Sequence, residues 1–73
     1  MTAATVPSLT GRERDVLRLL VSGATPKQVA VRLGLSPHTV RDHIREIRTK
    51  FGRPTIMAAA LDAVRFGHVE LAR

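Results

Sequence analysis

With 73 residues the chain has room for one domain and one modest core, and it has no cysteine to brace that core by a disulfide or a thiolate-bound metal. Twelve Lys and Arg against six Asp and Glu leave a net charge of +6, gathered between Lys27 and Arg53, where seven basic side chains meet two acidic ones. No signal-peptide pattern opens the chain, and its longest run free of polar residues, Ile56–Leu61, is far short of the ~20 a membrane span requires, so a soluble cytoplasmic protein is expected.

A polyanion suits charge concentrated in this way. Phe51 and Phe66 are the only aromatic residues apart from histidine. That scarcity argues against a single-strand binder, which stacks bases on exposed rings, and favours a duplex.

Residues 1–8 are small, polar and proline-bearing, and read as a flexible arm or linker ahead of a domain at 9–73. Thr10 and Glu13 form a capping box, followed by the apolar stripe Val16, Leu17, Leu20 and Val21 and a stop at Gly23. Thr25-Pro26-Lys27-Gln28 opens a second, short helix carrying Val29, Ala30 and Leu33 and ending at Gly34. Ser36-Pro37 starts a third helix that runs to Phe51 before Gly52. After the turn Arg53-Pro54-Thr55, with Thr55 or a neighbour as cap, Ile56–Phe66 forms a fourth helix before Gly67. No segment alternates with period 2 over a strand's length, so the fold class is all-α with four helices. The connection Gly34-Leu35-Ser36 is short enough to force a sharp turn between the second and third helices, with Leu35 buried in it, as in a helix-turn-helix.

Projected at 100° per residue, the third helix places Val40, Ile44, Ile47 and Phe51 in one narrow sector, its core face. The opposite side carries His38, Arg41, Asp42, Arg45, Arg48 and Thr49. Arg41 and Arg45 are one turn apart, a like-charge pair that costs an isolated helix a few tenths of a kcal/mol and that an external anion would justify. An arginine fork bonds guanine O6 and N7 together, and a carboxylate such as Asp42 accepts from cytosine N4 or repels a misplaced phosphate. Arg41, Asp42 and Arg45 are therefore the predicted base readers. Helix starts carry unpaired amides and a positive dipole end, so Thr25, Lys27, Ser36 and Thr39 are placed against backbone phosphates. His43 and Lys50 on one flank, with His38 and Arg48, complete the predicted backbone contacts.

Other chemistries fit poorly. Ser36, Asp42, His38 and His43 could be drawn as a triad, but Ser36 is a cap and the rest project from one wet helix with nothing to exclude water. The three histidines lack cysteine or clustered carboxylate partners, so neither a metal nor another cofactor is expected.

The fourth helix has an apolar arc too wide for a single core contact, with only Ala58, Asp62 and Arg65 outside it. One edge, at Met57, Leu61 and Val64, is predicted to pack against a second copy, giving a homodimer with two reading helices about one DNA turn apart on an inverted repeat. The rival reading makes this helix a docking face for a different partner, a sensory domain or RNA polymerase, with only non-specific DNA affinity.

From Leu9 to about Val69 the chain resembles the LuxR-type, or GerE-like, helix-turn-helix domain. The matching motifs are LTGRERDVLRLL, SGATPKQVAVRLGLS, PHTVRDHIREIRTKFG and the closing AVRFG. The resemblance implies a four-helix DNA-binding domain of bacterial transcription regulators, with the third helix in the major groove and the fourth at a dimer interface. It also implies bases near Arg41, Asp42 and Arg45, and backbone near Thr25–Lys27, Thr39, His43 and Lys50. Sigma-factor region 4 shares the LT-x-R-E opening, but Lys50-Phe51-Gly52 and the apolar fourth helix favour the LuxR type. The chain departs from the family pattern at Ile56 and Ala58, which are often polar and acidic, and at Asp42 on the reading face.

Overall fold

Each of the four helices among the described residues starts at a hydroxyl. Thr10 caps α1 (Gly11–Val21), Thr25 caps α2 (Pro26–Leu33), Ser36 caps α3 (Pro37–Phe51) and Thr55 caps α4 (Ile56–Arg65). Each side-chain oxygen accepts from the amide three residues on, and Glu13 and Gln28 return the bond to the amides of Thr10 and Thr25. These bonds satisfy donors that a helix start leaves without partners. The structure, a computed structural model, describes residues 8–70, so most of the predicted arm at 1–8 lies outside the described residues.

Glycine in the left-handed region closes the two helices that matter most. Gly34 (φ +68°) lets the Leu35 amide reach back to the Ala30 carbonyl at 2.9 Å, and Gly52 (φ +63°) lets Arg53 reach Arg48 at 3.0 Å. Three residues thus separate α2 from α3, and Leu35 packs half-buried against the core. The fourth helix ends one residue earlier than expected. Gly67 takes a positive φ and His68 N–H reaches the Ala63 carbonyl, leaving Phe66 as an exposed cap rather than a helical core residue.

The core is drawn from all four helices: Val16, Leu17 and Leu20 of α1, Val29 and Ala30 of α2, Val40 and Ile47 of α3, and Ala59, Ala60 and Ala63 of α4. Leu9 and Val69, just outside the first and last helices in the chain, are buried with it. Helices α1 and α3 form the central pair, each touching the other three, while α2 and α4 flank them without meeting. The predicted inner face of α3 is graded: Val40 and Ile47 are fully buried, Ile44 and Phe51 partly so. Burying it turns the opposite face of α3 outward.

Candidate nucleic-acid interface

That outward face carries the residues singled out from the sequence. Arg41, Arg45 and Thr49 are exposed, as is His38 at the start of the helix, and Asp42 stands among them about half exposed. Asp42 lies 3.5 Å from His38 Nε2 and 3.9 Å from Arg45 Nη1. Pairs this wet contribute little to stability, so they orient Arg45 without committing it. Arg41 has no ion pair among the described residues. It borders an open cleft between the starts of α2 and α3, together with Pro26, Lys27, Pro37 and Ile44.

Capping narrows what the helix starts offer. In α2 the amides of Thr25 and Gln28 are occupied by the capping box and Pro26 has no N–H, which leaves Lys27 N–H of the first turn. In α3 the Thr39 amide bonds Ser36 Oγ and Pro37 has no N–H, which leaves His38 N–H there. Ser36 Oγ also donates to Thr39 Oγ1 at 2.9 Å, so the hydroxyl proton free for a further acceptor is that of Thr39. Thr25 keeps its own hydroxyl proton, because its oxygen only accepts in the box.

Lys50 stands differently from the flank position expected of it. Its Nζ is 2.7 Å from Glu13 Oε1 and 3.1 Å from the Ser8 carbonyl oxygen, so the ammonium ties the end of α3 to the start of α1. Glu13 is buried, with 5% of its side chain exposed. Burial pushes its carboxyl up, but the Lys50 hydrogen bond, the Thr10 amide and the charges of Lys50 and His43 outweigh that and hold it below the ordinary value. Sequence reasoning assigned Glu13 to the capping box alone and missed this partner, 37 positions away. It also missed two contacts at the α3–α4 turn: Arg53 Nε with Asp62 at 3.2 Å, and Arg48 Nη1 donating to the Pro54 carbonyl at 3.2 Å.

On α4 the apolar arc is split by size. Alanines 59, 60 and 63 face the core, whereas Met57 and Leu61, one turn apart, are 61% and 51% exposed. Val64, grouped with them from the sequence, is half-buried against the core. Ile56 also packs partly against the core, so α4 keeps two large apolar side chains, Met57 and Leu61, in water beyond what its own core uses.

No group of three or more metal-binding side chains occurs among the described residues, and no described helix is long and apolar enough to cross a membrane.

Residues 7–63 match the family model of bacterial regulatory proteins, luxR family. The chain is 42% identical over 65 residues to the spore germination protein GerE of Bacillus subtilis, covering 89% of this chain and 88% of that one. The solved structure of the transcription factor GerE superposes with a TM-score of 0.84 at 38% identity, over 88% of this chain and 96% of that one. A putative HTH-type transcriptional regulator of Mycobacterium tuberculosis, Rv0890c, is 42% identical over 60 residues, but the match spans only 7% of its length. The VqmA dimer of Vibrio cholerae, a LuxR-type receptor, superposes with a TM-score of 0.80 at 32% identity, over 90% of this chain and 31% of that one.

Proposed function

Because the chain belongs to the luxR family of bacterial regulatory proteins, we propose that it binds a defined duplex sequence with α3 in the major groove. The domain is a DNA-binding helix-turn-helix of transcription regulators and not an enzyme. The outward face of α3 supports this reading: Arg41 and Arg45 stand exposed one turn apart, turned away from buried Val40 and Ile47. No carboxylate among the described residues pairs with Arg41, and guanine O6 and N7 match its fork. Arg45 reads a neighbouring base, and Asp42 between them accepts from cytosine N4 or excludes registers that bring phosphate close. Thr25, Lys27, Ser36, His38, Thr39, His43 and Arg48 border this face and hold the backbone. Lys50 is left out of that set because its ammonium already bonds Glu13 and Ser8.

The same reading makes the protein a homodimer on DNA. Met57 and Leu61 form an exposed apolar pair on α4, with Val64 at its buried edge, and a two-fold contact there would repeat α3 about 34–36 Å away, one DNA turn. VqmA, similar over this domain, is a dimer. A cytoplasmic location goes with a target of chromosomal DNA.

Selection of binding sites from a random duplex pool tests the proposal. The expected outcome is an inverted repeat with half-site centres one helical turn apart and two protomers per site. A pool that shows no enriched sequence, with affinity set by salt alone, would favour the rival in which α4 docks RNA polymerase or a sensory domain.

A further inference from the structure

A further concentration of cations extends from the base-reading face, with which it shares Arg45, into the turn between α3 and α4. Arg45, Arg48, Thr49, Gly52, Arg53 and Pro54 wall an open cleft of about 450 Å³. Two of its three guanidinium groups lean on carboxylates: Arg45 on Asp42 at 3.9 Å and Arg53 on Asp62 at 3.2 Å. Arg48 has no carboxylate partner among the described residues. Its Nη1 donates to the Pro54 carbonyl, and its Nε is shut off from water with no acceptor at all. A buried donor without a partner is a cost the fold would relieve if it could. An anion in the cleft offers that relief, because a small swing of Arg48 away from the Pro54 carbonyl would give Nε an oxygen while keeping the charge compensated.

We propose that this cleft seats a DNA backbone phosphate, and that Arg53, together with Arg48 and Thr49, is part of the DNA grip. The inference rests on α3 lying in the major groove, and it extends the contact surface beyond the helix into the following turn. A phosphate suits the geometry better than a base. The cleft is open, its cations converge from two segments, and Thr49 adds a hydroxyl at its rim. Arg53 enters by a route the outward face of α3 does not reveal, since it lies beyond the helix end. Asp62 pairs with Arg53 from α4, the helix proposed to hold the dimer, so the phosphate grip and the dimer helix share a contact.

The test compares Arg53→Gln with Arg65→Gln in the full chain. Arg65 is exposed in the last turn of α4 and is not a wall of the cleft, so the two variants lose the same charge from different places. Affinity for the selected duplex and for a scrambled one is measured across a salt series, with helix content checked by circular dichroism. Arg53→Gln should weaken both duplexes several-fold and alike, and make log affinity against log salt shallower by about one, whereas Arg65→Gln leaves the slope unchanged. Arg53→Lys, which keeps the charge, should restore most of the slope. If the wild type binds duplex and Arg53→Gln tracks Arg65→Gln, the phosphate cleft is refuted while α3 recognition stands. If the wild type shows no salt-sensitive duplex binding, both readings fall together.

Discussion

Lys50→Met keeps the apolar stem of Lys50 and removes the ammonium that links α3 to α1. In the wild type the Glu13 carboxylate, with 5% of its side chain exposed, takes hydrogen bonds from Lys50 Nζ at 2.7 Å and from the Thr10 amide at 3.0 Å. Removing one member of a buried pair costs ~3–5 kcal/mol when both are dry. Lys50 is 30% exposed, so water can partly replace it, and a loss of about 2–3 kcal/mol is expected. In a domain of this size that lowers Tm by roughly 10–20 °C. The acid limb should move as well. Glu13 titrates below the ordinary carboxylate value in the folded state, so its contribution is complete above that ordinary value and disappears as pH falls through the lower folded one. Without Lys50 burial still pushes the carboxyl up and less opposes it, so unfolding begins at higher pH. Adding Glu13→Gln, which takes the stranded charge away and keeps an acceptor for Thr10, should recover much of the loss. Thermal melts from pH 3 to 7 on the wild type and the two variants measure all of this. The salt slope of duplex binding should stay unchanged in Lys50→Met. An unchanged Tm together with a slope shallower by about one would instead place Lys50 on a phosphate and refute its structural role.

Three further outcomes follow from the same geometry. Leu61→Glu puts a charge on the exposed apolar edge of α4, and sedimentation should show one protomer where the wild type places two on an inverted repeat, with Tm almost unchanged. Two variant protomers bound as tightly as wild type would rule out the α4 interface. Thr55→Ala should cost about 1 kcal/mol in denaturant melts, because Ala58 at the third position cannot complete a capping box and the Thr55 oxygen alone holds that helix start. Gly34→Ala should destabilise by about 1 kcal/mol at the helix-turn-helix bend: its φ of +68° strains an L side chain although the space around it is open.

Much of this molecule could be read from local chemistry. The caps at Thr10, Thr25 and Ser36 and the stop at Gly34 depend on residues within five positions of one another, and the structure has each where the spacing predicted. The exposure of Arg41, Asp42 and Arg45 follows from the burial of Val40 and Ile47 through helical geometry alone, so that face was legible too. Contacts between distant segments were not. Lys50 and Glu13 meet because α1 and α3 pack together, and no periodicity along either helix marks them as partners. The flank position of Lys50 follows from the helical angle, whereas its bond to the Glu13 carboxylate depends on how α1 meets α3. On α4 the width of the apolar arc was visible, but its division into inward alanines and outward Met57 and Leu61 depends on how closely the helix approaches its neighbours. Phe66 fell outside the helix because Gly67 closes the last turn, a geometry that one glycine after an apolar run does not distinguish from a later stop.

Affinity measured on the selected site with every base pair changed in turn decides whether Arg41 reads a base. Arg41→Ala should lose ~1–3 kcal/mol on the best site and lose its discrimination at one position of each half-site, leaving the others intact. A uniform loss across all sites, with every preference preserved, would make Arg41 a phosphate contact and contradict the assignment of α3 as the reading helix through that residue.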